Sequence, residues 1–301
     1  MEDFLVSMVK IAVPLLLCMA GALFSEKAGV VNIGLEGLML MGSLFGVLGS
    51  YWTKSPYVGA VMAMLMSMLL SALFAFFSIT IRANQIVMGV AVNTIASGLT
   101  ISFNRLFLTS AGVMKVNGFQ SLPIPGLCEI PVIGKALFNQ TLPGYLAYVL
   151  VFVTWFVFGK TNLGLKIRAA GEHPTACDTV GINILRLRYG TVLYSGLLAG
   201  LAGAFISTGQ LSAFSEDMVS GRGFMVYAAI IFGNFTPVGV FVACMIFACG
   251  MALQYRLQAM DTQVSYYFWM MLPYMITIIA LCAYHKRSNA PKFSGVPYAK
   301  N

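Results

Sequence analysis

Long apolar runs separated by short polar turns fill most of this chain. The windows 55–81, 83–104, 136–159, 189–215 and 223–255 contain no Asp, Glu, Lys or Arg. A bilayer core about 30 Å thick is crossed by roughly 20 helical residues, and these runs lack the alternation of membrane-spanning strands. The pattern predicts an all-α, polytopic transmembrane helical bundle with about nine membrane segments, in a range of roughly eight to ten.

Run lengths place the segments at 4–23, 29–51, 57–81, 86–108, 142–158, 189–208, 223–232, 238–255 and 266–284. The seventh is ambiguous, because it would be only about 15 Å long at 1.5 Å per residue before the Gly233–Pro237 break. It is either a short crossing or a half-helix buried in protein, where broken backbone can survive at membrane depth. No soluble domain interrupts the pattern, so residues 1–301 are expected to form a single transmembrane domain.

Composition and charge placement support this organisation. The chain is 59% hydrophobic and only 9% charged, whereas soluble domains carry about 25% charged residues. Basic residues concentrate in the loop 160–188 and near the C-terminus. Because cytoplasmic loops are enriched in Lys and Arg, the loop 160–188 and the C-terminus are expected inside the cell. The N-terminus and the long, proline-containing loop 109–141 are then external.

Catalytic and nucleotide-binding signatures are missing from the sequence. It has two histidines, His173 and His285, and neither belongs to a Ser/His/Asp set or a metal-ligand pair. The sequence also has no paired carboxylates at a useful spacing. The stretch Gly159-Lys160-Thr161 resembles the end of a phosphate-binding loop, but Thr154 occupies the position of the required upstream glycine. We therefore expect no enzyme activity, no ATPase site, no metal and no cofactor on this chain.

A carboxylate lies within the second apolar run. Glu36 follows Asn32 by four residues, which would put both on one face of a helix. Since a charge at membrane depth is costly and normally faces a bundle interior or cavity, the pair could line a solute pathway. The favoured alternative is an internal hydrogen-bond clamp, and a proton relay would need further acidic partners.

Neutral amides lie near the start of the fourth run and within it. Asn84 precedes the run and Asn93 lies in its middle. Amides suit a hydroxylated or heterocyclic solute, but interhelical hydrogen bonding is the favoured alternative. Small residues at a spacing of four, which indicate close helix packing rather than ligand binding, are Gly196, Gly200 and Ala204, with Gly42 and Gly46 on an earlier run.

The segment 160–182 is a polar island among the apolar runs. Gly171-Glu172-His173-Pro174 predicts a turn, Thr175 is placed to cap a short helix from Ala176 to Val180, and Gly181 is placed to end it. A short surface helix flanked by basic residues suits docking into a groove of a cytoplasmic partner. An ordinary solvated loop is the alternative.

Two stretches resemble a known family. Ser25–Gly37 resembles the signature of permease subunits of bacterial ABC importers for nucleosides, in the branched-chain amino acid and simple-sugar permease superfamily. Ile167–Glu172, continued by Ala176, Asp178, Gly181 and Ile182, resembles the cytoplasmic coupling loop of that family. The resemblance covers nearly the whole chain. It departs at His173, where Asn is usual, and at Cys177, where Ala is usual.

The resemblance implies a type II ABC importer-like permease domain in the cytoplasmic (inner) membrane. Its partners would be a separate cytoplasmic ABC ATPase, a second homologous permease subunit or a second copy of this chain, and an extracytoplasmic solute-binding lipoprotein. The residues it assigns to coupling with the ATPase are Gly171, Glu172, His173, Ala176, Asp178, Gly181 and Ile182. The pathway or gate candidates are Asn32, Glu36, Asn84 and Asn93.

The resemblance favours purine or pyrimidine nucleosides as the solute. Ribose-like simple sugars are the first alternative. An ATP-independent secondary transporter or channel is the second, although Glu36 is the one carboxylate placed well inside an apolar run. A membrane subunit without a transport role is a third reading, and the resemblance to a coupling loop argues against it.

Overall fold

The computed structural model describes residues 2–108, 116–126, 128, 130, 134–259, 266–283 and 289–299. Most of these residues are helical. The helices before residue 161 are α1 (Glu2–Lys27), α2 (Leu35–Thr53), α3 (Pro56–Ala75), α4 (Gln85–Phe103), α5 (Gly134–Phe138) and α6 (Leu142–Lys160). Those that follow are α7 (Asn162–Glu172), α8 (Pro174–Thr179), α9 (Ile184–Ala204), α10 (Arg222–Phe232), α11 (Pro237–Ala259), α12 (Tyr266–Met270) and α13 (Leu272–Ala283).

Three of the long helices end in π-helical turns, at Phe76–Thr80 after α3, Asn104–Leu108 after α4 and Phe205–Leu211 after α9. The prediction of an all-α chain is wrong in one detail. Strands β1 (Ser121–Pro123) and β2 (Asn139–Thr141) form an antiparallel hairpin within the predicted external loop. The Tyr145 hydroxyl lies 2.9 Å from the Leu122 carbonyl oxygen and 2.7 Å from that of Phe138, which ties the hairpin to α6.

Local signals explain where several helices begin. Pro56 occupies the first turn of α3, where its missing N–H is not needed. Side-chain oxygens cap three other helices: Asn84 accepts from Ile86 N in α4, Thr161 from Gly164 N in α7, and Asn183 from Arg186 N in α9.

Helices α1, α2, α3 and α9 form the centre of the bundle, and α1 is buried without interruption from Ile11 to Glu26. Helices α4 and α6 lie at the periphery and expose large apolar side chains, such as Val87 and Phe152, each 62% exposed. In a bilayer, such faces meet lipid or a partner subunit.

The centre is closely packed because small residues face each other, as the sequence predicted. Gly42 of α2 lies against Gly200 of α9, and Gly46 lies against Ala204 one turn further along. Gly196 lies against Ser71 of α3. These contacts confirm that the stripe is a packing surface.

We expect Gly42→Ala to destabilise the protein by about 1–3 kcal/mol, since overpacking a filled site costs this much. A Cβ at Gly42 would overlap the backbone of Gly200, whereas a Cβ at Gly98 in α4 meets no atom within 4 Å. The thermal midpoint of the detergent-solubilised protein measures the difference. Gly98→Ala is the matched control, and equal midpoints for the two variants would contradict this packing argument.

Six helical stretches in the described part of the chain are long and apolar enough to cross a membrane: Glu2–Lys27, Pro56–Thr80, Gln85–Phe107, Leu142–Lys160, Ile184–Leu211 and Pro237–Ala259. Each of the roughly nine predicted segments contains helix in its described part, and the number of crossings stays a prediction. The predicted second segment begins too early, because 28–34 is a turn and α2 starts at Leu35. The predicted break before Pro237 is present, with Asn234 and Phe235 at φ values of 53° and 56°.

Candidate functional site

The turn 28–34 between α1 and α2 is held by side chains from distant parts of the chain. Gly29 adopts φ +83°, a conformation that favours glycine. Inside the turn, the Glu26 Oε1 atom accepts from Asn32 N at 3.1 Å, and Gln85 Oε1 accepts from Val31 N at 2.8 Å. The turn is therefore bonded to side chains of both α1 and α4.

Asn32 belongs to this turn and not to α2. Its Oδ1 atom accepts from Gly34 N at 2.9 Å, a local turn that competes with helix. The prediction that Asn32 and Glu36 share a helix face is therefore wrong. Asn32 is 1% exposed, and its Nδ2 group has no hydrogen-bond partner among the described residues.

Asn93 of α4 holds the start of α2 through both ends of its amide. Its Oδ1 atom accepts from Gly37 N at 2.8 Å, and its Nδ2 group donates to the Ile33 carbonyl at 3.1 Å. A Cβ at Gly37 would overlap Asn93. A glycine at this position lets the amide reach the backbone.

Glu36 binds the N-terminus of α10. Its Oε1 atom accepts from Gly221 N at 2.8 Å and its Oε2 atom from Gly223 N at 2.7 Å. The carboxylate therefore satisfies backbone donors that a helix N-terminus leaves unpaired, where a negative charge is also favoured. The absence of a Cβ at Gly223 allows this approach, because a Cβ there would overlap the Glu36 backbone.

The structure brings Asn32, Glu36 and Asn93 together around the start of α2. Asn84 lies apart from them, exposed at the start of α4, where its Oδ1 atom caps the helix at 2.9 Å from Ile86 N. Its neighbour Gln85, which is 1% exposed, is the residue that reaches the turn.

The polar island is more helical than predicted. Helix α7 covers Asn162–Glu172, and α8 begins at Pro174. The expected cap at Thr175 is therefore wrong, since Thr175 lies inside the helix. Gly181 does adopt φ +83° just beyond the end of α8.

The coupling candidates fall on two sides of this helical pair. Gly171 is buried; His173, Ala176 and Gly181 are exposed; and Glu172, Asp178 and Ile182 are half-buried. Cys177 faces inward with Ala170, Ile184 and Tyr298, and burial raises the pKa of its thiol. The exposed side is thus free for a partner, while the inner side anchors the pair.

Gly171 is the point where α7 meets α1. A Cβ at this position would overlap the Lys27 carbonyl oxygen. The Gly171 carbonyl accepts from Phe293 N at 3.0 Å. The end of α7 is therefore placed between the end of α1 and the C-terminal segment 289–299.

Sequence reasoning missed Arg188 and the C-terminal segment. Arg188 is 1% exposed; its Nε donates to the Ala28 carbonyl and its Nη1 to the Val296 carbonyl, both at 3.1 Å. Gly295 N donates to the Gly29 carbonyl at 3.2 Å. The sequence signal for Arg188 is a basic residue near the start of an apolar run, a pattern that by itself indicates only orientation in the membrane.

The segment also contacts α8. Burial and a hydrogen bond with Asp178 raise the pKa of Tyr298. The rings of His173 and Phe293 lie 6.3 Å apart. A continuous set of contacts therefore joins α8, the C-terminal segment, Arg188 and the α1–α2 turn.

The described helices form an apolar bundle with the helical pair α7–α8 docked at one end. Residues 4–281 match the family model described as the permease component of the branched-chain amino acid transport system. The chain belongs to this family. It is the permease component of an ABC transporter, a multi-pass protein of the cell membrane that has no catalytic domain and works with an ATPase partner.

Relatives match over most of their length. The guanosine ABC transporter permease protein NupQ of Bacillus subtilis is 39% identical, over 96% of this chain and 94% of the relative. The nucleoside ABC transporter permease protein NupC of Lactococcus lactis is 34% identical, over 100% and 98%. TsgC13 of Haloferax volcanii, a permease protein provisionally named for glucose, is 36% identical, over 84% and 77%.

A solved structure shares the fold. An ABC transporter in an inward-facing conformation aligns with a TM-score of 0.50 at 13% identity, covering 92% of this chain and 84% of the other. The chain therefore shares the fold of that transporter. The predicted family is confirmed.

Proposed function

We propose that this permease imports nucleosides across the cell membrane, driven by ATP hydrolysis on a separate subunit. The observation that carries this proposal is the near full-length similarity to NupQ and NupC, whose names specify guanosine and nucleosides. The similarity to TsgC13 keeps a simple sugar as the second candidate solute.

The placement of the two ends supports nine crossings. Lys27, α8 and the C-terminal segment share one end, and the start of α1, the β1–β2 hairpin and the end of α11 share the other. Nine crossings require that α2 and the α12–α13 pair also span, and that α10 completes a crossing begun by 212–221. Positive φ values at Asp217, Ser220 and Gly221 fit a broken span.

The end that carries α8 is the cytoplasmic one in this proposal. The exposed side of α8 docks on the ATPase, with Gly171, Glu172, His173, Ala176, Asp178, Gly181 and Ile182 forming the coupling region. The opposite end receives solute from an extracytoplasmic lipoprotein. A second permease subunit covers part of the apolar surface of α3 and α4, where Leu69 is 64% exposed.

Movement of α8 would reach the solute pathway through the contacts already described. Gly171 and Arg188 transmit it to the α1–α2 turn, and Glu36 connects that region to the half-helix α10. Asn32, Glu36 and Asn93 then act as gate residues around the start of α2, while Asn84 caps the start of α4 apart from them.

Uptake by the complete transporter tests the proposal. A host without nucleoside uptake would express the permease together with its ATPase and lipoprotein partners, and would be supplied with labelled guanosine, uridine or ribose. We expect guanosine or uridine to accumulate, and a catalytically inactive ATPase to stop it. Ribose uptake without nucleoside uptake would refute the nucleoside assignment, and uptake with the inactive ATPase would refute ATP-driven import.

We expect Arg188→Ala to reduce solute uptake by at least about tenfold, because a fork of hydrogen bonds to two carbonyls, worth about 1.5–3 kcal/mol per charged bond, is lost. Arg188→Lys should recover little, since a single ammonium cannot match the fork. The control is Arg186→Ala, which removes an exposed basic residue from the same helix turn. Equal uptake by the variants at positions 186 and 188 would contradict a connecting role for Arg188.

A further inference from the structure

A cavity of about 800 Å³ opens at the end of the bundle opposite α8. It lies between the first turns of α1, the β1–β2 hairpin, the π-helical turn 205–211 and the end of α11. Its volume falls within the range of about 300–1,000 Å³ that is typical of small-molecule sites. π-helical turns are also frequent at functional sites.

The walls of the cavity combine aromatic rings with polar groups. Phe4, Phe119 and Tyr255 supply rings, and the Arg256 guanidinium lies 6.0 Å from the centre of the Phe4 ring. Among the polar side chains, Gln210 is fixed by donating from Nε2 to the Lys10 carbonyl at 2.9 Å, which leaves its own amide oxygen available as an acceptor.

The polar wall continues into the membrane. The Tyr255 hydroxyl accepts from Arg222 Nη2 at 3.3 Å. Arg222 is 7% exposed, and its Nε and Nη1 groups have no hydrogen-bond partner within the described part of the chain. Buried unpaired donors are costly. Arg222 lies between Gly221 and Gly223, whose N–H groups bind Glu36.

We propose that this cavity is the entry site for the solute, in which a heterocyclic base contacts the aromatic wall and ribose hydroxyls contact the polar wall. The inference rests on the proposed function for its nucleoside and for the external position of the cavity. Base stacking on an aromatic ring is favourable for every base because each has a π-face. The unpaired donors of Arg222 lie further inward, on the route from the cavity to Glu36.

Paired variants in the complete transporter test the site. Gln210→Ala removes a polar wall group, and Gln120→Ala removes an exposed glutamine at the same end that does not line the cavity. Tyr255→Phe removes the hydroxyl that holds Arg222, and Tyr51→Phe is its control on the exposed end of α2. Membrane abundance and co-purification of the ATPase establish that each variant assembles.

We expect Gln210→Ala to raise the KM for guanosine uptake by about threefold to tenfold, the effect of losing one neutral hydrogen bond. Tyr255→Phe removes a hydrogen bond to the charged Arg222 guanidinium and should raise the KM by at least as much. The two controls should match the wild type. If guanosine is imported normally but all four variants match the wild type, the entry site is wrong while the proposed function stands.

Cysteine labelling tests whether the cavity opens to the outside and, separately, which solute occupies it. Ser7→Cys, in a Cys128→Ala background, would place a thiol in the cavity for a membrane-impermeant maleimide added outside the cell. We expect rapid labelling that guanosine, delivered with the binding protein, slows. No labelling from outside would overturn the external entry site. Protection by ribose but not by guanosine would overturn the nucleoside assignment.

Discussion

Glu36→Ala is expected to remove nearly all transport and most of the assembled protein from the membrane. The variant leaves Gly221 N and Gly223 N without acceptors beside a buried helix end. Hydrogen bonds to a charged group contribute about 1.5–3 kcal/mol each, so a loss of about 3–5 kcal/mol of stability is expected. Thermal midpoints in detergent and guanosine uptake in cells measure the two effects.

Conservative variants separate a structural clamp from a pathway carboxylate. Glu36→Gln retains one oxygen acceptor but turns an amide toward the second N–H, so its thermal midpoint should fall together with uptake. The control is Glu2→Gln, because the exposed pair of Glu2 with Lys135 at 3.5 Å should contribute only about 0–1 kcal/mol. If Glu36→Gln keeps the wild-type midpoint and loses only uptake, Glu36 acts on the solute or on an ion rather than as a clamp.

Features that depend on neighbouring residues were predictable from the sequence. The spacing of Gly196, Gly200 and Ala204 is enough to predict a helix face of small residues. In the structure that face packs closely against neighbouring helices. The break before Pro237 follows from the missing donor and restricted φ of proline.

Features that depend on distant contacts were not predictable. Asn32 fits a helical pattern, but Glu26 and Gln85 hold the backbone of its segment in a turn. The burial of Arg188 depends on the Val296 carbonyl, 108 residues away. Helix α7 was not predicted because its segment is too polar to form an apolar run. Thr161, which caps its first turn, was a local signal for its start.

The candidate site also has a part that the sequence predicts and a part that it does not. Glu36 was identified because a carboxylate in an apolar run needs a compensating environment. Its partners, the backbone amides of Gly221 and Gly223, have no side-chain signal, and they lie about 185 residues further along the chain. The sequence therefore indicates which residue needs a hydrogen-bond partner, while the fold determines which groups become its partners.

Gly171→Val is expected to uncouple ATP hydrolysis from uptake. Its side chain would have to occupy the space of the Lys27 carbonyl oxygen and would press on Pro291, which lies 3.0 Å from an ideal Cβ. Overpacking of this kind costs about 1–3 kcal/mol. Because α7 contacts α1 at this point, α8 would still present its exposed side to the ATPase but would no longer move together with the α1–α2 turn.

The readouts are guanosine uptake, ATPase activity of the purified complex and co-purification of the ATPase. We expect uptake to fall by about tenfold or more, which corresponds to about 1.4 kcal/mol, while the ATPase still co-purifies. Gly159→Val, at the end of α6, is the matched control because a Cβ there meets no atom within 4 Å. Normal uptake by Gly171→Val would show that the contact between α7 and α1 does not transmit the movement, and the route through Arg188 would have to carry it alone.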